Sequence, residues 1–124
     1  MAVALAIAAG GSVGALARYG VMELVERRVV SVFPWDTLVV NVTGSFLAGF
    51  VVAALVNGDE APAWLRLGLV VGFLGAYTTF STFAQDLYDL TVADEYLPAV
   101  ANAAGSVGLS LAAVALGTVA GRGL

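Results

Sequence analysis

Apolar residues dominate four long runs of the chain, at about 2–25, 38–56, 65–87 and 97–120. Each run has the roughly 20 mostly apolar residues that a helix needs to cross the hydrocarbon of a bilayer. Only short connections separate the runs, and the one at 57–63 carries Asn-Gly and Pro, which are typical of a turn. The pattern predicts an all-α membrane protein, with residues 1–124 forming a single four-helix transmembrane domain.

The third run contains an unusual polar patch, Gly75-Ala76-Tyr77-Thr78-Thr79-Phe80-Ser81-Thr82-Phe83, with four hydroxyls in five consecutive positions. Unsatisfied polar groups are costly in hydrocarbon, so a functional reason for the patch is expected. Gly72 and Gly75 precede these hydroxyls, and residues 77–82 are poor in strong helix formers. We therefore predict that the third helix is interrupted near its middle. Such a break frees carbonyls for a cation and exposes a half-helix N-terminus that favours an anion.

Polar side chains also recur at four-residue spacing in the second and fourth runs. Thr37 and Asn41 share one helical face, and Asn102, Ser106 and Ser110 share another. Taken singly, Asn suits interhelical hydrogen bonding, and Ser can bond back to the carbonyl four residues earlier. Three in register are typical of a solute path or a helix interface.

Three further side chains in the runs are candidates for contact with an anion. Phe80 and Phe83 are three apart, and their ring edges carry partial positive charge, although core packing is the usual role of Phe. Arg18 lies about two-thirds of the way through the first run. A charge at that depth is a functional candidate, although a long side chain can also reach the interface.

The overall composition excludes several functional classes. The 124 residues are 60% hydrophobic and 11% charged, with no cysteine and no histidine. The commonest catalytic base and the usual zinc ligands are therefore absent, which argues against an enzyme. A net charge of −4 argues against nucleic-acid binding.

The arginines give no preference for one membrane orientation. Arg66 and Arg122 fall on one side of a four-helix topology, and Arg27 and Arg28 fall on the other. The positive-inside rule is therefore balanced. Either a partner or the order of insertion orients the protein, or copies insert both ways and pair antiparallel. Pairs of glycines four apart, Gly10/Gly14, Gly68/Gly72 and Gly117/Gly121, allow close helix packing within one chain or between copies.

Three segments resemble the Fluc (CrcB-like) family of fluoride channels. They are GGSVGALARY at 10–19, TLVVNVTGSF at 37–46 and GFLGAYTTFSTF at 72–83. Their order and spacing, together with the chain length, agree with that family over nearly the whole chain. The third segment is the most specific.

The resemblance implies an antiparallel, dual-topology dimer in the cell membrane that exports fluoride passively and so lowers its cytoplasmic concentration. A homodimer is favoured by the balanced arginines, although some family members are encoded as pairs. It further implies a structural sodium ion at the dimer centre, held by the backbone carbonyls of Gly75 and Thr78. Arg18 would act electrostatically. The implied fluoride path comprises Thr37, Asn41, Phe80, Ser81, Thr82, Phe83, Ser106 and Ser110.

Two other functions fit a chain of four short spans. A small dual-topology drug/proton antiporter needs an embedded carboxylate, but the only acid of the first run is Glu23, near its end. A non-transporting membrane assembly subunit would explain the small-residue pairs but not the polar stripes.

Overall fold

A computed structural model describes residues 1–56 and 61–123, which are helical with short connections and contain no strand. Helix α1 is Ala2–Arg28, and α2 is Trp35–Val51, extended by a π-helical turn, Val52–Val56. The third crossing comprises α3 (Ala63–Leu67), a π-helical segment (Gly68–Leu74), α4 (Gly75–Tyr77) and α5 (Phe80–Val92). Helix α6 is Tyr96–Arg122. The turn predicted from Asn57-Gly58 lies outside the described residues.

Four helical stretches are long and apolar enough to cross a membrane, as the sequence predicts. They are Ala2–Arg28, Trp35–Leu55, Ala63–Val92 and Tyr96–Arg122. All of them begin or end beyond the apolar runs, and the third continues to residue 92 rather than 87. The reason is that helical hydrogen bonding continues into polar residues at the interface, whereas hydropathy detects only the apolar part.

The third crossing is interrupted at Thr78 and Thr79. Thr78 has ψ 156°, and Thr79 has φ −147° and ψ 110°, so both residues are extended between α4 and α5. The break is shorter than the predicted segment 77–82, because α5 already begins at Phe80. An extended pair inside an apolar helix removes several i to i+4 hydrogen bonds, and these groups need other partners.

Glycines bring two pairs of helices into backbone contact. Helix α1 packs on the third crossing, where Gly10 and Gly14 face the carbonyls of Gly68 and Phe73. Helix α2 packs most extensively on α6, where Gly117 faces the carbonyl of Phe46. The glycine pairs found in the sequence therefore serve packing within one chain.

Little of the chain is fully buried in one copy. Thr37, Val40 and Asn102 are the largest side chains with almost no exposed surface, and two of the three are polar. Many large apolar side chains are exposed, among them Leu16, Phe80 and Leu111. This distribution suits a protein whose outer surface meets lipid or another membrane protein.

The contact at Gly117 leads to a stability prediction. A methyl group in Gly117→Ala would collide with the Phe46 carbonyl, so we expect a loss of about 1–3 kcal/mol in unfolding free energy. Gly105 lies on the same helix with nothing within 4 Å of an added Cβ, and Gly105→Ala is the matched control. Thermal unfolding of the purified variants in detergent measures both. Equal effects of the two substitutions would contradict the packing assignment.

Candidate functional site

One asparagine holds the break in the third crossing. The Asn41 Nδ2 group of α2 donates to the Thr79 carbonyl at 3.0 Å, and the Thr79 N–H donates to Asn41 Oδ1 at 2.8 Å. In an uninterrupted helix, the Thr79 N–H would instead bond to the carbonyl of Gly75. The Asn41 amide thus bonds to both backbone groups of the extended residue Thr79, in place of the helix's own hydrogen bonds. Asn41 therefore makes the interhelical hydrogen bond that is typical of Asn in membranes.

The Thr79 side chain starts the second half of the interrupted helix. Its Oγ1 accepts from the Thr82 N–H at 3.2 Å and donates to Thr82 Oγ1 at 2.9 Å. A hydroxyl at this position satisfies one of the N–H groups that a helix N-terminus leaves free. Thr79 is buried and was missing from the predicted site. Its sequence signal was a hydroxyl residue just before a new helical stretch.

The backbone carbonyls of Gly75 and Thr78 are among those at the break that lose their helical donors. The Thr79 N–H bonds to Asn41 rather than to Gly75, and the Thr82 N–H bonds to the Thr79 side chain rather than to the Thr78 carbonyl. The Thr78 hydroxyl is engaged differently, since it donates to the Leu74 carbonyl at 2.9 Å. Carbonyl oxygens without donors are suitable ligands for a hard cation.

A groove of about 480 Å³ lies beside the break, between α2, the third crossing and α6. Seven predicted site residues meet in its wall: Asn41, Gly75, Thr78, Phe80, Phe83, Ser106 and Ser110. The wall also contains Gly44, Ser45, Thr79 and Val114, which the prediction did not include as site residues. The polar residues of three separate apolar runs therefore converge on one cleft.

Four predicted site residues lie away from this wall. Ser81 is exposed and Thr82 half-buried, both in the first turn of α5. Arg18 is half-buried on α1, which contributes nothing to the groove. Thr37 is fully buried, and its hydroxyl approaches the Asp86 carboxyl. Neither Thr37 Oγ1 nor Asp86 Oδ2 has a hydrogen-bond partner of good geometry among the described residues.

The two phenylalanines of the groove differ strongly in exposure. Phe80 is 79% exposed, whereas Phe83 is only 9% exposed. Their ring centroids are 5.7 Å apart and the planes are tilted by 50°. In a tilted pair, a ring edge of one meets the face of the other, and the remaining edges stay available to a negative group.

The groove offers neutral hydrogen-bond donors and no charged side chain in its wall. Asn41 uses one Nδ2 hydrogen on Thr79 and retains a second. The hydroxyls of Ser45 and Ser110 make no hydrogen bond within the described part of the chain, whereas Ser106 donates to Asn102 Oδ1 at 2.8 Å. Neutral donors and ring edges can replace the water around a small anion without the tight binding that a full charge would cause.

Comparison with known proteins places the whole chain in one family. The profile of the family described as "CrcB-like protein, Camphor Resistance (CrcB)" matches residues 5–118. A protein of Geobacter sulfurreducens is 43% identical over the full length of both chains. A protein of Aeromonas salmonicida is 44% identical over 91% of this chain and 90% of its own. One of Ignicoccus hospitalis is 45% identical over 90% and 88%, respectively. All three are named "Fluoride-specific ion channel FluC".

Proposed function

The chain belongs to the CrcB-like protein family, and we propose that it is a fluoride-selective ion channel. It is a multi-pass membrane protein with four crossing helices, and the family's function is transport rather than catalysis. Passive flow through the channel would carry fluoride out across the cell membrane and lower its cytoplasmic concentration. The observation that carries the proposal is the groove at the helix break, lined by neutral donors and two phenylalanine rings.

Fluoride is small and strongly hydrated, so its path must supply donors in place of water and still release the ion. Asn41, with its second Nδ2 hydrogen, and Ser110, with its hydroxyl, both line the groove. Phe80 and Phe83 line it as well, and their ring edges would add weak donors. Several weak sites in series would allow entry and exit, which a single strong site would prevent.

The residues outside the groove wall would extend the path at its ends. Ser81 and Thr82 follow Phe80 in the first turn of α5, and Thr37 lies one turn before Asn41 on α2. The Thr82 hydroxyl accepts from Thr79 and keeps its own proton for another acceptor. Arg18 would add positive potential from α1. At about 10 Å and an effective dielectric of about 20, one charge contributes roughly 1.7 kcal/mol, which biases ion occupancy without trapping the ion.

We propose that two copies pair antiparallel, with both membrane orientations present in one homodimer. The groove is open in a single copy, and its Phe80 ring is mostly exposed. A polar groove open to lipid would leave hydroxyl and carbonyl groups unsatisfied. A second copy would cover them, and the balanced arginines permit either orientation. Labelling of single cysteines from each side of the membrane tests this, and one uniform orientation would refute it.

The break would hold a structural sodium ion at the dimer centre. The carbonyls of Gly75 and Thr78 have lost their helical donors, and Gly75 is an exposed residue of the groove wall. The described residues contain no cluster of acidic side chains that could hold a metal, so backbone oxygens are the suitable donors. Two from each copy would give four oxygen ligands, and the ion would neutralise carbonyls that lipid cannot satisfy.

Substitution of Thr78 tests whether the backbone or the side chain holds the sodium ion. The Thr78 hydroxyl is engaged by the Leu74 carbonyl, so Thr78→Ser and Thr78→Val should both keep the sodium dependence of dimer stability. Flux should stay within about fivefold, because only one hydrogen bond of about 1 kcal/mol or less is altered. The measurement is dimer stability in sodium against N-methylglucamine. Loss of the sodium effect in Thr78→Val alone would show ligation by the hydroxyl.

Fluoride efflux from proteoliposomes tests the proposed function directly. Vesicles loaded with fluoride should empty through the reconstituted protein, and vesicles loaded with chloride should not. Equal permeation of both ions, or of neither, would refute a fluoride-selective channel. The antiporter alternative is not favoured, because the groove wall carries no carboxylate to couple protons to a drug. A packing subunit would leave both ions inside the vesicles.

A further inference from the structure

Beside the groove, Asn102 and Ser106 form a buried polar pair on α6. Asn102 is completely buried and Ser106 is 6% exposed. The Ser106 hydroxyl donates to Asn102 Oδ1 at 2.8 Å, while Asn102 Nδ2 has no acceptor among the described residues. Ser106 belongs to the groove wall, whereas Asn102 lies one helical turn before Ser106 on α6 and outside that wall. The proton of Ser106 is therefore turned away from any anion in the groove.

The opposite hydrogen-bond polarity is available to the same pair. If the Asn102 amide turns over by half a rotation, its Nδ2 group donates to Ser106 Oγ and its Oδ1 takes the unpartnered place. The Ser106 proton is then free to point into the groove. The observed orientation leaves both hydrogens of the buried Nδ2 group without an acceptor. The turned orientation leaves one of these hydrogens and the Oδ1 atom without a partner. Each state thus leaves two hydrogen-bonding positions of the amide unsatisfied, so neither is strongly preferred in an empty groove.

We propose that Asn102 is a positioning residue whose amide turns over when an anion reaches the groove, so that Ser106 donates only to an arriving anion. This inference rests on the proposed function of the groove. An anion has differential affinity for the two states, because only the turned state presents a proton to it. In that state the amide N–H behind Ser106 also polarises the hydroxyl and strengthens its hydrogen bond to the anion.

The pair would keep the Ser106 hydroxyl from other acceptors while no anion is present. A hydroxyl permanently directed into the groove would hold water or bond back to its own helix when no anion is present. In the empty groove, the Ser106 hydroxyl donates to Asn102 Oδ1. When the amide turns over, Asn102 Nδ2 donates to Ser106 Oγ, and the Ser106 proton becomes available to the anion. Ser110, one turn further along α6, has no such partner and serves as the internal comparison.

A double-mutant cycle in proteoliposomes tests the inference, with half-saturating fluoride concentration and maximal flux measured separately. Asn102→Leu preserves volume and should raise the half-saturating concentration about three- to tenfold, the worth of one hydrogen bond. Combined with Ser106→Ala, it should add nothing to the effect of Ser106→Ala alone. In a Ser110→Ala background, it should keep its full effect.

The opposite outcomes are equally well defined. An effect of Asn102→Leu that is the same in the Ser106→Ala and Ser110→Ala backgrounds would show that Asn102 acts through packing alone. An Asn102→Leu protein with fluoride affinity like that of the wild type would also overturn the proposal. Flux by the wild-type protein distinguishes failure of the proposed function from failure of the proposed amide turnover. If the wild type carries no fluoride, the proposed function fails, and if it does while the cycle is additive, only the amide switch fails.

Discussion

Asn41→Leu is expected to abolish fluoride flux, with a fall of at least about a hundredfold in initial efflux rate. The leucine keeps the volume of the side chain but removes the donor and the acceptor that hold Thr79. The N–H and the carbonyl of the buried residue Thr79 would then lack partners, at a cost of about 1–3 kcal/mol each. Since 1.4 kcal/mol is a factor of ten, the extended conformation at the break would become a minor state.

The measurement is fluoride efflux from proteoliposomes, with the oligomeric state of the same preparation determined in detergent. Ser12→Ala is the control, because the Ser12 hydroxyl is exposed on α1 and bonds back only to the Ala8 carbonyl. We expect Asn41→Leu to keep the oligomeric state of the wild type. A change of oligomeric state together with loss of flux would show that Asn41 stabilises the assembly. Retained flux would show that the hydrogen bonds between Asn41 and Thr79 are not required for conduction.

Phe80→Leu is expected to give the second large effect, a loss of fluoride flux of about tenfold or more. Leucine remains apolar and fits a similar space, but it has no ring edge with partial positive charge. The ring contributes about 0.5–1.5 kcal/mol in aromatic contacts beyond its apolar area, and the same edge must also replace part of the fluoride hydration shell. Because Phe80 is mostly exposed in one copy, the substitution disturbs little of the protomer's own packing.

Phe46→Leu is the matched control for Phe80. Phe46 lies on α2 and stacks on Phe50 at 6.5 Å, away from the groove wall. Its substitution should leave efflux close to that of the wild type. Should Phe80→Leu conduct normally, the ring would be an apolar filler at the groove, and the anion path would depend on the hydroxyl and amide donors alone.

The helical class of the fold could be predicted because the bilayer imposes it. Four apolar runs of suitable length permit only helices or a closed barrel, and runs without alternation exclude barrel strands. The interruption of the third helix was also predictable, since the hydroxyl-rich patch and the preceding glycines weaken the helix there. Its extent was not, because Thr79 starts α5 with its own side chain and so limits the break to two residues.

Helical spacing predicted only part of the site. Spacing by four placed Thr37 and Asn41 on one face, yet Asn41 reaches the groove and Thr37 is buried near Asp86. The same spacing joined Asn102, Ser106 and Ser110, but Asn102 lies behind the groove wall and bonds to Ser106. Periodicity identifies which side chains share a face, but not which neighbouring helix covers part of that face.

By itself, the sequence determined that the chain crosses a membrane four times, and where its polar residues interrupt the apolar runs. These properties depend on local composition and on the solvent that surrounds the helix. Only the tertiary structure decided that Asn41 takes over the hydrogen bonds of Thr79, and that the Gly75 carbonyl loses its donor as a result. Hydrogen bonds between residues 38 positions apart depend on how two helices pack, and no local pattern along the chain encodes that contact.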